Sequence, residues 1–170
     1  DNQGALVGNA IAPELTYAHR SRGPEFLRKH IVDPAADVID TIMPKFPDLT
    51  DAELDSLVAF LGAMTYDIQE RTPDKLYTGY CNSCHGDDMD GQGRINQSNQ
   101  LLDPLPRNFR HQFVVSYKDR LLDSIQTGIA GTAMAPWKAL LTDAEITQIV
   151  NYLERMATQD PLTGINNHRA

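Results

Sequence analysis

Residues 81–85 read Cys81-Asn82-Ser83-Cys84-His85. Two thiols three positions apart, followed at once by a histidine, form the attachment pattern of c-type haem. No other feature limits the architecture of this chain so strongly. Each thiol can add across one vinyl group of a porphyrin, and a single helical turn holds both at the macrocycle edge. His85 then lies under the ring, where its imidazole can bind iron. A Cys-x-x-Cys alone also fits a redox dithiol or half a zinc site. No second pair is present to complete a zinc site, and a dithiol does not require the adjacent histidine. Cys81 and Cys84 are the only two cysteines, so with both in thioethers neither a disulfide nor a free thiol remains. Thioether attachment is normally carried out on the extracytoplasmic side of a membrane. The expected location is therefore the periplasm, an organelle lumen or the outer face of a membrane complex.

The chain also repeats itself. Leu49-Thr50-Asp51-Ala52-Glu53-Leu54 matches Leu141-Thr142-Asp143-Ala144-Glu145-Ile146. Each is a helix start with a capping box, in which the threonine caps the first turn and the glutamate reaches back. Leu49 with Leu54, and Leu141 with Ile146, can form hydrophobic staples. The helices that follow have the 3.6-residue apolar period. The first is expected to bury Leu54, Leu57, Val58, Leu61 and Met64, and the second Ile146, Ile149, Val150, Leu153 and Met156. Upstream, Met43-Pro44-Lys45-Phe46 matches Met134-Ala135-Pro136-Trp137 with one residue inserted, and Asp1–Leu6 lines up with Asp90–Ile95. This predicts two lobes, residues 1–71 and 72–160, with a polar tail at 161–170. The split falls at Arg71-Thr72-Pro73, where Pro73 suits the first turn of a new helix. In the second lobe the attachment motif lies just before Asp90; the matching segment of the first would lie before Asp1. The first lobe therefore shows the back half of the pattern without the attachment half.

With Cys81, Cys84 and His85, Met134 before Pro136-Trp137, and a closing helix from Asp143, residues 72–157 resemble a class I cytochrome c domain. The paired halves resemble a tandem (dihaem) cytochrome c. The resemblance implies an all-α fold of two small helical lobes with long loops wrapping haem. It implies His85 as the proximal and Met134 as the distal ligand, Gly131-Thr132-Ala133-Met134 being similar to the family's ligand loop. Ala135, inserted before Pro136, departs from the more usual Met-Pro. Pro106-Arg107-Asn108-Phe109 resembles a segment of some of these cytochromes in which Arg107 can pair with a haem propionate. In the first lobe Gly8, Pro13 and Leu15-Thr16 fit the loop after an attachment helix, and Thr41-Ile42-Met43-Pro44 fits the ligand loop. Met43 is thus a candidate ligand to a second haem, against the alternative that it is a core residue.

A thioether ligand favours reduced iron and, with a neutral imidazole, raises the reduction potential. It also fills the sixth position, which points to an electron carrier, alone or as a subunit of a respiratory or oxidoreductase complex, and not to a haem enzyme. The rival readings are a dihaem peroxidase or an oxide-reductase domain, which need an open iron, and a haem-free first lobe serving as a docking adaptor. Methionine commonly fills gaps in cores, but Met134 sits in a Gly/Pro loop just before a capped helix, which favours ligation. Trp137 can hydrogen-bond a propionate or simply pack. Tyr77 and Tyr80 are expected between helices, and Met89 and Asp87–Gly93 in a turn that lacks the closing glutamate of a calcium loop. His111 reads as a loop residue and His168 as part of the tail. His19 and His30, with Arg20, Arg22, Arg28 and Lys29, either approach propionates or form a solvated helix face. The net charge of −8 argues against a nucleic-acid partner. It either steers a basic redox partner or only maintains solubility. No apolar run approaches the length of a transmembrane helix.

Overall fold

The computed structural model describes residues 15–38, 41, 43–65, 67–93, 104–110 and 117–158. What the sequence predicts for Asp1–Leu6, Gly8, Pro13, Ile42, Ile95, His111, His168 and the tail lies outside them. Every regular element among the described residues is a helix. In chain order they are α1 (Ala18–Arg22), α2 (Pro24–Val32), a 3₁₀ turn (Pro34–Ala36), α3 (Asp51–Ala63), α4 (Pro73–Tyr80), α5 (Asn82–His85), α6 (Lys118–Thr127) and α7 (Asp143–Thr158). None is long and apolar enough to cross a membrane.

Local chemistry places the helix starts where the sequence predicts them. Thr50 accepts from the Glu53 backbone N–H, and the Glu53 carboxylate accepts from the Thr50 N–H at 2.8 Å. Thr142 and Glu145 repeat this reciprocal pair, also at 2.8 Å. Thr72 is the extended residue before α4, and Pro73 opens that helix, where its missing N–H costs nothing.

The helices pack in two groups, α1–α2–α3 and α4–α6–α7. The second holds most of the core. Leu76 of α4 is fully buried, as are Ile146, Ile149, Val150 and Leu153 of α7. α3 differs from expectation: Leu54 and Val58 are buried, Leu61 is half-buried, and Leu57 and Met64 are exposed. α3 is covered along one narrow stripe by α1 and α2, whereas α7 is held between α4 and α6. Met156 is likewise exposed, and Ala157 is buried in its place. The basic stretch of α1 and α2 is engaged in ion pairs. Arg28 bridges Asp51, at 2.7 Å, and Asp55 on α3. Lys29 and His30 both approach Asp37, and His30 stacks on Phe26.

Tyr17 joins the two groups, and Arg71 ties the approach to α4 onto α7. Tyr17 is buried edge-on against Tyr80, with ring centroids 4.6 Å apart, and lies 6.2 Å from Trp137. Arg71, two residues ahead of α4, forks onto the Glu145 carboxylate and donates to the Leu140 carbonyl at 2.9 Å. The hydrogen bonds from Arg71 lower the Glu145 pKa to about 2, more than burial raises it. A carboxylate depressed in the folded state contributes stability that is complete above its ordinary pKa and lost as pH falls through the folded value. The melting temperature should therefore fall on acidification between about pH 4.5 and 2, and Glu145→Gln should flatten that profile. Equal acid slopes in the two proteins would remove the pair from the account.

Candidate haem site

The motif lies at the junction of α4 and α5. The Cys81 carbonyl accepts from the N–H groups of Cys84, at 3.2 Å, and His85, at 2.9 Å, so one turn carries both sulfurs and the imidazole. The cysteines are half-buried and not joined to each other. Burial, then the neighbouring Cys84, push the Cys81 thiol up to about 12. A redox dithiol needs a lowered thiol pKa, so the dithiol alternative runs against the local electrostatics.

The turn after the motif folds back onto it. Gly91 N–H donates to the His85 carbonyl at 2.9 Å and Gly93 N–H to the Cys84 carbonyl at 3.1 Å. The buried Tyr77 hydroxyl donates to the Gly86 carbonyl at 2.8 Å. Asp87–Gly93 is the expected turn, but Met89 is not a surface loop residue. With φ at 60° it points into the core, and its carbonyl accepts from Phe109 N–H at 2.7 Å.

His85 is oriented from its far side. Its ring stacks on Phe109, with centroids 4.5 Å apart. Nδ1 is 3.1 Å from the Arg107 carbonyl oxygen. A carbonyl only accepts, so Nδ1 carries the proton and Nε2 presents its lone pair. Burial lowers the pKa of this imidazole, partly offset by the Arg107 carbonyl, which keeps it neutral. A neutral imidazole with its other nitrogen tied to a carbonyl is the form that binds a metal. The Arg107 side chain itself is exposed. Nothing in the sequence singled out this carbonyl, since every residue has one. Phe109 was legible only as an aromatic in the Pro106–Phe109 segment.

Met134 is half-buried against the same core cluster as Cys81 and Trp137. Its N–H donates to the Thr132 hydroxyl at 3.1 Å, and its carbonyl accepts from Ile129 N–H at 3.0 Å. Arg22 of α1 donates to the Thr132 carbonyl at 3.1 Å, so the first helix group braces this loop. Met43 makes the equivalent bond, its N–H donating to the Thr41 hydroxyl at 3.2 Å. The Trp137 ring packs against Tyr80, centroids 5.4 Å apart, and Tyr17. Among the described residues no group of three or more histidine, cysteine, aspartate or glutamate side chains is gathered to hold a metal ion. The donor set of two thiols on one turn, a neutral imidazole with a free Nε2 and a thioether in a pinned loop fits a covalently tethered haem.

The family described as cytochrome C oxidase, cbb3-type, subunit III matches residues 69–153, half of the chain. No curated protein matches it. Among solved structures, the chain is similar to one from the reducing HAO-like protein complex of Kuenenia stuttgartiensis. The two are 20% identical over 78% of this chain and 71% of that one, with a TM-score of 0.42.

Proposed function

The chain belongs to the cbb3-type cytochrome c oxidase subunit III family, and from that premise we propose that it carries single electrons as a subunit of an extracytoplasmic oxidoreductase complex. It is a cytochrome c, and its haem, when bound, supplies the one-electron centre. Cys81 and Cys84 would tether the group, and His85 and Met134 would hold its iron. The observation that carries this reading is the His85–Arg107 bond, which fixes the imidazole tautomer and leaves Nε2 to ligate. Arg107 acts through its carbonyl to raise imidazole basicity, and its exposed guanidinium is available to a propionate. Trp137, packed with Tyr80 and Tyr17, would keep water from the same group and could donate its indole N–H to it. Met134 supplies the soft sulfur that favours reduced iron. The matching Met43-to-Thr41 and Met134-to-Thr132 hydrogen bonds support a two-lobe design in which Met43 would be a ligand to a second haem. Redox proteins or the membrane complex itself are the partners.

The test is spectroscopic. The purified holoprotein should give the sharp reduced bands of low-spin haem c and bind carbon monoxide slowly or not at all at neutral pH. Mass spectrometry should count one covalent haem on this chain. Fast carbon monoxide binding would turn the reading toward an enzyme with an open iron.

A further inference from the structure

The repeat that relates α3 to α7 also identifies a surface on α3 that lacks its counterpart. Aligned on their capping boxes, Glu53, Leu57 and Phe60 correspond to Glu145, Ile149 and Tyr152. On α7 this line lies under α4. Ile149 is 1% exposed, the Tyr152 ring lies 6.1 Å from that of Tyr77, and Glu145 is held by Arg71 just ahead of α4. On α3 the same line is uncovered. Leu57 is 40% and Phe60 62% exposed. Glu53 is bonded to Thr50, with no cation paired to it among the described residues. An open groove lined by Leu49, Ala52, Glu53, Ser56 and Leu57 runs along this face. The stripe that α3 does bury, Leu54 and Val58, is a different one.

We propose that Glu53, Leu57 and Phe60 form a docking face for an amphipathic helix from another polypeptide segment, built like α4. It carries an arginine just ahead of its first turn for Glu53 and an aliphatic-aromatic pair one turn later for Leu57 and Phe60. Charge argues against a second copy of α3 in this place. Residues 51–63 contain no lysine or arginine, so a second α3 would bring no cation to Glu53. The proposal rests on packing and does not depend on haem ligation.

The probe is a synthetic peptide of residues 69–86 with Cys81→Ser and Cys84→Ser, titrated into the isotope-labelled, reduced holoprotein and followed by NMR. Amide shifts are expected on α3 around Glu53, Leu57 and Phe60, saturating by about 1 mM. Phe60→Asp in the protein should weaken binding at least about tenfold. Arg71→Glu in the peptide, a change that cannot unfold the protein, should weaken it roughly three- to fivefold, and Glu53→Arg should reverse that preference. The proposal is overturned by an absence of shifts, by shifts centred on α7, or by indifference to the peptide's Arg71→Glu. It is equally overturned by concentration-dependent shifts on α3 in the protein alone, which would make a second copy the occupant.

Discussion

Gly128→Ala should strip the haem of its methionine while leaving His85 in place. Gly128 closes α6 with φ at 72° and ψ at −172°, a backbone region that essentially only glycine occupies and that costs another residue about 1–3 kcal/mol. A β-carbon there would stand 2.7 Å from the Met134 carbonyl oxygen and 2.8 Å from the Pro136 nitrogen. Both are backbone atoms, and neither can swing aside. Relief requires the Ile129–Met134 loop to move, and with it the Ile129-to-Met134 and Met134-to-Thr132 bonds. Overpacking of this kind adds about 1–3 kcal/mol. Loss of the weak far-red band of methionine-ligated ferric haem should follow, with a lower reduction potential and fast carbon monoxide binding. Gly131→Ala is the control. Its φ is 74°, but a β-carbon there meets nothing within 4 Å, so the band should survive. Retention of the band in Gly128→Ala at unchanged stability would separate Met134 from the loop geometry.

Tyr17→Ala is expected to weaken a part of the molecule in which Tyr17 is not a local residue. Tyr17 is 4% exposed and wedged against Tyr80 and Trp137, which flank the attachment turn and follow the ligand loop. Deleting a buried aromatic ring costs about 3–5 kcal/mol, and water would enter beside the Cys81 turn. The denaturation midpoint should drop accordingly, and the haem potential should shift although no residue of 72–158 has changed. Leu15→Ala, at an exposed position, should do neither. A stability loss below about 1 kcal/mol in Tyr17→Ala would show that the halves do not depend on this ring.

Some of this was legible in the sequence because it is local. The capping boxes, the Pro73 start and the attachment turn are each set by residues within four positions of one another. The apolar faces were legible only in part. Periodicity assigns Leu57 and Met64 to a buried face as firmly as Ile149, yet what covers a face is decided by neighbours distant in sequence. The His85 orientation was not legible at all. It rests on the carbonyl of Arg107, twenty-two residues away, and a carbonyl carries no side-chain signature. For Arg22 the sequence offered propionates or solvent, while the fold turns it to the Thr132 carbonyl. Met89 read as a turn residue because acidic neighbours surround it; its left-handed backbone sends the side chain inward instead.

The ring of Tyr17 makes a wall of one half from a part of the other, and this bears on how such molecules can be rebuilt. A graft that exchanges residues 15–65 for a homologous cassette would import a foreign plug for the Tyr80–Trp137 cleft. An exchange of the first helix group should therefore keep the rest intact only where the donor brings an aromatic at position 17 and a guanidinium at 22 to hold the Thr132 carbonyl.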